Sequence, residues 1–314
     1  MASLWISILK LLGLYKPTTT STTSTTSTTS TTSTTIPTTP TTSTTTTTIA
    51  GDKKVKRALC FSLNDYPGTA NDLQGCNNDN KNWADLLKNQ YGFEIFKVMM
   101  DSTATKTNVK NSILELFSTS KAGDVLVITY SGHGTSIADV NNDELDGKDE
   151  AICLYDGLLV DDEIRDMFNK LPQGVKLTFI SDSCFSGTVT RAFLNIMNDF
   201  TYVSQPKYLP PKDSMDAIRI MALPSLRAFA CPEEGMNHIL ISGTDDKSYS
   251  YDANIGGKPT GAFSYYAIKV LRENPKITYN DFYKKLKTYL PTSKYPQNPQ
   301  LEGSEANKNS FMFE

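Results

Sequence analysis

Two short apolar runs, each broken at its carboxyl end by a turn of small polar residues, limit what this chain can fold into. In KLTFISDSCFSG (Lys176 to Gly187), Leu177, Phe179 and Ile180 lead into Ser181, Asp182, Ser183 and Cys184. In DVLVITYSGHGT (Asp124 to Thr135), the run VLVITY leads into Ser131, Gly132, His133 and Gly134. Apolar runs of this length, rich in β-preferring residues and closed by polar turns, read as buried strands. Sites in open α/β sheets gather just beyond such carboxyl ends. Cys184 follows His133 by 51 residues (184 − 133), room for one or two βα units. A thiol and an imidazole on one sheet edge suit nucleophilic catalysis. The thiol needs a base nearby, and glycines beside the His leave backbone N–H groups free to meet an oxyanion.

The rest of the chain supports an α/β fold. Strands are expected at Val55 to Leu63, Phe93 to Met100, Ala151 to Tyr155 and His238 to Ser242. A helix is expected from Cys76 to Tyr91, with Trp83, Leu86 and Leu87 inward and Gly92 ending it. Others are expected at Thr107 to Ser118 (Ile113, Leu114 and Phe117 inward), Gly261 to Arg272 and Tyr279 to Leu290. Gly243 to Pro259 reads as a polar loop, and Asn309 to Phe313 as a final strand. Strand and helix alternate, which calls for a mostly parallel sheet with helices on both faces.

With 314 residues, 39% of them hydrophobic, the chain has room for one domain and appendages. The net charge of −3 gives no broad pull toward nucleic acid, which is not expected as a partner. Five Cys without a CxxC pair signal neither a disulfide framework nor a zinc site, which suits a reducing, cytoplasmic setting. Of the two His, His238 opens an apolar run and reads as structural, leaving His133 for chemistry.

Three segments follow from composition. Residues 1–16 form a short apolar stretch interrupted by Lys10, below the roughly 20 residues needed to span a bilayer. It lacks the basic start of a signal peptide. A sticky terminal helix is expected, with a membrane surface or a partner protein as the alternative contact. Residues 17–50 are almost all Thr and Ser, cannot offset the entropy of ordering, and read as a disordered tether. Residues 51–314 form the folded domain: a large part (51–189), a Pro-rich connection (190–237) and a small part (238–314).

The ordered motifs resemble the caspase-like cysteine peptidases, specifically metacaspases of the bacterial type. They are RALCFSLNDYPGTANDLQGCNND, TYSGHGT, NDELDGKDEAI, LVDDEI, SDSCFSGT, ISGTDDKSYS and TGAFSYY. The resemblance implies a three-layer sandwich around a six-stranded, mostly parallel sheet. It also implies an endopeptidase with a Cys/His dyad that acts on proteins or peptides with Arg or Lys at P1. By position, Cys184 is nucleophile and His133 base, while Asp79, Ser131 and Asp182 line the pocket for the basic side chain. The backbone N–H groups of Gly134 and Cys184 are expected to hold the oxyanion. Phe185 and Arg191 depart from the residues found in many relatives, the second at a position linked to calcium.

No cofactor is required for this chemistry, and calcium is expected only as an activator. Asp139, Asn141, Asp143 and Glu150 mimic an EF-hand loop, but Glu144 stands where the sharp turn needs Gly. A looser site would draw on Asp143, Glu144, Asp146, Asp149, Asp161 and Asp162, chiefly Asp146, Asp161 and Asp162. The alternative is a solvated acidic loop, with Asp161 and Asp162 capping a helix. Two rival functions are a scaffold with vestigial catalysis and a peptidase preferring Asp or Asn. The intact Cys, His and acids oppose the first, and two pocket acids would repel an Asp side chain. If the connection is mobile, Lys207, Lys212, Arg219 and Arg227 are candidate self-cleavage sites. If it is a packed insert, none is cut.

Overall fold

A computed structural model describes residues 54–138, 148–184, 204–210, 236–245 and 248–314. The expectations for residues 1–50, for most of the acidic loop and for most of the connection fall outside these residues.

Six strands make the central sheet: β1 (Lys56–Ser62), β2 (Glu94–Met100), β3 (Val125–Ser131), β7 (Lys176–Asp182), β9 (Ile239–Ser242) and β12 (Gln300–Glu302). Their order is β12-β9-β7-β3-β1-β2, and only the β12–β9 pair is antiparallel. The strands that reach the site are apolar on both sides because both sheet faces are covered. Alternate residues go to opposite layers. Ala58, Cys60, Val125, Val127 and Ile180 pack against α1 (Cys76–Asn89), α4 (Ala262–Glu273) and α5 (Tyr279–Leu286). Leu59, Phe61, Leu126, Ile128 and Phe179 pack against α2 (Lys106–Ser118) and α3 (Asp161–Phe168). The result is the expected three-layer α/β sandwich.

Local chemistry sets the helix ends. Thr105 and Thr278 accept the Asn108 and Asp281 N–H groups at the starts of α2 and α5, as N-caps do. Gly92, at φ +71°, turns the chain after α1. Trp83, Leu86 and Leu87 face inward as expected. In α2, Leu116 joins Ile113 and Phe117 in the core, whereas Leu114 is only half-buried.

Two antiparallel sheets flank the main one. One holds β4 (Gly134–Ala138), β5 (Lys148–Leu154) and β6 (Gly157–Val160). The other holds β8 (Ser204–Pro206), β10 (Tyr251–Ile255) and β11 (Lys258–Gly261). The second corrects the polar loop expected at Gly243 to Pro259. Gly256 and Gly257, at φ +64° and +79°, make the tight turn of a β10–β11 hairpin whose strands are too polar for an apolar pattern. The final strand expected at Asn309 to Phe313 is also absent, reduced to a single bridge between Thr278 and Phe311. The sixth strand is β12, three residues long and too short for periodicity to register. α5 stops at Leu286, one turn before the expected end. The last element, α6 (Glu305–Lys308), is a single turn.

Candidate active site

The site stands where β3 and β7 end together. They pair in parallel with Ser131 opposite Asp182, so His133 and Cys184 each lie two residues beyond a matched strand end. The first turn of α1 brings Asp79 to the same edge, and the β10–β11 hairpin with the start of α4 closes it.

Two fully buried carboxylates form a pocket. Asp79 Oδ1 accepts from Thr260 Oγ1 (2.7 Å) and the Gly261 N–H (2.8 Å), while Oδ2 accepts from Ser131 Oγ (2.8 Å). Asp182 Oδ2 accepts from Ser264 Oγ (2.7 Å) and the Ser264 N–H (3.2 Å), and Oδ1 accepts from Ser250 Oγ. Gly261 floors the pocket, since a Cβ there would fall on the Asp182 carboxylate and 2.7 Å from Asp79 Oδ2. Burial pushes the Asp79 carboxyl up to about 6, against the lowering pull of a neighbouring ammonium.

That ammonium is Lys207, fully buried. Its Nζ lies 3.1 Å from Asp79 Oδ2, 3.0 Å from Asp182 Oδ2 and 2.9 Å from Ser131 Oγ. Burial works to lower its pKa, but the carboxylates around it outweigh burial and hold it well above the usual lysine value. Its backbone is seated too. The Lys207 carbonyl accepts from the Gly134 N–H (3.0 Å) and the Cys184 N–H (3.1 Å), and the Lys207 N–H donates to the Ser250 carbonyl (2.9 Å). Upstream, β8 lies antiparallel on β10, with Pro206 opposite Tyr251 and Ser204 opposite Ala253. Downstream, the Leu209 N–H donates to the Gly134 carbonyl (3.0 Å), and Tyr208 packs edge-on against Tyr249.

His133 is fixed through its backbone. Its N–H donates to Tyr66 Oη (2.7 Å), and its carbonyl accepts from Tyr130 Oη (2.7 Å) and the Cys153 N–H (2.9 Å). Gly132 is required beside it, since a Cβ would come 2.8 Å from Tyr66 Oη. The ring Nε2 lies 2.8 Å from the Asn71 carbonyl oxygen. A carbonyl can only accept, so Nε2 carries the proton and Nδ1 presents a bare lone pair. Nδ1 is buried and has no hydrogen-bond partner among the described residues. Burial lowers the His133 pKa to about 4, with the Asn71 carbonyl pulling the other way.

Cys184 is fully buried. Its Sγ accepts the Ser250 N–H (2.7 Å) and lies 3.2 Å from the Ser250 carbonyl. Burial pushes the thiol well up, against the Ser250 hydrogen bond. The pair is therefore a neutral thiol and a neutral imidazole, with Sγ hydrogen-bonded to Ser250 and not to His133.

The structure thus brings together Cys184, His133, Gly134, Asp79, Ser131 and Asp182. Phe185, Arg191 and Asp146 lie outside the described residues. Asp161 and Asp162 begin α3 beside Arg165, whose guanidinium is 3.9 Å from Asp161 Oδ2 and closer to Asp162. Their oxygens are the ligand type calcium takes, but Arg165 would have to give way for both to bind a dication. His238 stacks edge-on against Phe168, as a structural ring does. The residues not anticipated are Tyr66, Asn71, Ser250, Thr260, Gly261 and Ser264. Ser250, Thr260, Gly261 and Ser264 lie inside the quoted motifs ISGTDDKSYS and TGAFSYY, which was the available signal. Asn71 acts through its carbonyl, which any residue could supply.

The description "Metacaspase, peptidase C14 domain" matches residues 56–192. Metacaspase-1 of Scheffersomyces stipitis is 30% identical over 305 residues, covering 82% of this chain and 73% of that protein. Metacaspase-1 of Schizosaccharomyces pombe is 31% identical over 294 residues, covering 79% and 67%. Among solved structures, a protein from Geobacter sulfurreducens superposes with a TM-score of 0.63 at 27% identity, over 82% of this chain and 98% of that one. Caspase-1 from Spodoptera frugiperda superposes at 0.52 with 13% identity, over 80% and 87%, a likeness of fold. Among the described residues no helix is long and apolar enough to cross a membrane. With this fold, this strand-end geometry and relatives of this similarity over most of its length, the chain belongs to the metacaspases, caspase-like cysteine-type endopeptidases of the peptidase C14 family.

Proposed function

We propose that this metacaspase cleaves peptide bonds after Lys or Arg, with Cys184 as nucleophile and His133 as base. One observation carries the reading: Lys207 is seated as a P1 residue, its ammonium between Asp79 and Asp182 and its carbonyl on the N–H groups of Gly134 and Cys184.

In the reaction Sγ turns from Ser250 toward the substrate carbonyl, and His133 Nδ1 takes its proton. The thiolate adds to the carbonyl carbon. The oxyanion stays on the Gly134 and Cys184 N–H groups, each a donor of the kind worth about 3–4 kcal/mol. The imidazolium, its Nε2–H anchored on Asn71, returns the proton to the leaving amine. Water then hydrolyses the acyl-enzyme by the same base. Specificity has two components. Two buried anions attract a cation, and they penalise Asp at P1. A guanidinium offers a fork that two carboxylates can share, so Arg is cleaved at least as well as Lys.

The substrates are proteins and peptides in the cytoplasm, where residues 1–16 direct the enzyme to a membrane surface or a partner. Asp161 and Asp162, together with Asp146, are the residues that would hold an activating calcium once Arg165 gave way, and it would take no part in the chemistry. Fluorogenic peptides that differ only at P1 test the proposal, assayed with and without calcium. Turnover of Arg and Lys peptides supports it. Preference for Asp or Asn overturns the pocket assignment, and no turnover with any peptide favours a binding role.

A further inference from the structure

We propose that the outer face of the layer formed by α1, α4 and α5 docks on an anionic lipid bilayer. The inference does not depend on which bonds the enzyme cuts.

The two helical layers carry opposite charge. On α1, α4 and α5 the basic residues are Lys81, Lys88, Lys269, Arg272, Lys284 and Lys285. Against them stand Asp85, Glu273 and Asp281, Asp79 being buried in the pocket. On α2 and α3 the balance is reversed: Lys106, Lys110 and Arg165 face Glu115, Asp161, Asp162, Glu163 and Asp166. The connections of the first layer add Lys276, Lys287 and Lys294. No acidic residue lies between Asn274 and Thr278 or between Lys287 and Pro299. This basic face belongs to a chain whose net charge is −3.

The face is continuous. Arg272 of α4 reaches Asp85 of α1 (3.6 Å). Lys269 lies over the Tyr289 ring (5.4 Å to its centre), Tyr289 stacks on Tyr266 (5.3 Å), and Tyr266 meets Tyr265 edge-on (5.2 Å). Lys287 lies over Tyr283 (5.7 Å). The pairs Arg272–Asp85, Lys269–Glu273 and Lys284–Asp281 are exposed, so water screens them and the cations stay available. Three large apolar side chains are left exposed among the described residues. Two belong here: Tyr265 on α4, and Phe311 beside Thr278, which caps α5.

Lysines interleaved with phenol rings fit a bilayer surface. Anionic headgroups attract Lys and Arg, and Tyr rings settle at headgroup depth. A nucleic acid would need free ring faces for its bases. Here Tyr266 and Tyr289 cover each other, and Lys269 covers Tyr289. A protein partner would bury an apolar centre depleted of charge, and this face is charged on every helix. The chain also carries a second membrane signal. Residues 1–16 are apolar but too short to span a bilayer, and one weak anchor joined to a basic patch is what stable attachment takes. Residues 17–50, if extended, reach about 110 Å, long enough for both signals to meet one bilayer.

One end of the face adjoins the cleft. Ser264, at the start of α4, holds Asp182, and the next residue, Tyr265, is exposed. A docked enzyme therefore keeps its cleft beside the bilayer.

The test is cosedimentation of the full-length protein with vesicles, without calcium. One set is phosphatidylcholine, the other phosphatidylcholine and phosphatidylserine in equal parts. Binding to the mixed vesicles should be at least about tenfold tighter and should weaken as salt rises. Changing Lys81, Lys88, Lys269 and Lys285 together to Gln should lower that binding at least about tenfold. It should leave hydrolysis of a soluble Arg peptide unchanged. Changing Lys97, Lys106, Lys110 and Lys170 to Gln alters the net charge equally and should leave vesicle binding near the wild-type value. Equal losses in the two variants overturn the proposal, since net charge and not this face would then drive binding. Equal binding to both kinds of vesicle overturns it too. So does tighter binding to a single-stranded oligonucleotide than to the mixed vesicles, which would assign the face to nucleic acid. If the first variant fails to fold, lysine acetylation of the wild type decides. The mixed vesicles should shield Lys81, Lys88 and Lys285 and leave Lys170 labelled, and equal shielding of all four overturns the proposal. None of these failures touches the peptidase reading, which the Arg peptide tests separately.

Discussion

Ser131 and Asp182 are direct register partners, and each is the last residue of its strand. This one pairing sets the geometry of the site. It places two pocket residues side by side, and it puts His133 and Cys184 at equal distances along the chain beyond the same sheet edge. A slip of one residue between β3 and β7 would turn every side chain of one strand to the other face. The buried apolar residues on both faces prevent that slip.

Cys184→Ala should fold and lose peptidase activity, and His133→Ala should lose nearly as much, by at least about 10³-fold in kcat. Single-turnover assays on Arg peptides check this. Retained turnover in Cys184→Ala would remove it as nucleophile.

Acid should destabilise the chain through His133. Its folded pKa of about 4 lies below the ordinary 6.5, so the unfolded state binds more protons between these values. Stability is therefore retained above pH 6.5 and falls with pH down to about 4, by up to about 3 kcal/mol. Urea unfolding of Cys184→Ala, with and without His133→Gln, isolates the effect as a difference. Asp79 and His238 titrate in both chains and cancel. Equal acid slopes would mean that His133 is not held neutral.

Asp182→Asn and Asp79→Asn should each lower kcat/KM for an Arg peptide by more than tenfold. Losing one partner of a buried charge pair costs about 2–5 kcal/mol. Cys184 should still react with a small neutral alkylating agent, read on its own peptide by mass spectrometry. Wild-type rates in both variants would reassign the pocket.

Gly261→Ala should close the pocket from below. The added methyl would collide with the Asp182 carboxylate and with Lys207 Nζ, where overpacking typically costs about 1–3 kcal/mol. Arg and Lys peptides should both lose turnover, with KM rising more than kcat falls. A variant that hydrolyses them normally would show that the basic side chain binds elsewhere.

Deleting residues 1–48 should leave peptide hydrolysis unchanged, because that stretch has no core-forming pattern. Peptide assays and thermal unfolding of the shortened chain check this. A marked fall in its melting temperature would place the terminal segment in the core.

The strands that carry Ser131, His133, Asp182 and Cys184 were legible because a sheet covered on both faces writes continuous apolar runs into the sequence. Asp79 was legible as a pocket residue only through the resemblance, since a carboxylate in the first turn of a helix serves equally well as a partner of the helix dipole. The partners of these residues were harder to see. β10 and β11 are short and polar, and β12 has three residues, so burial leaves no periodic trace in them. Asn71 bonds to His133, and Ser250 to Cys184, through main-chain atoms, which carry no residue signature. Lys207 stood in the sequence as one of five basic residues in the connection, and nothing local marked it as the one seated in the pocket.

Lys207 is also the counter-ion of its own pocket. Without it, Asp79 and Asp182 would face each other with no cation between them, and breaking a buried pair costs about 3–5 kcal/mol.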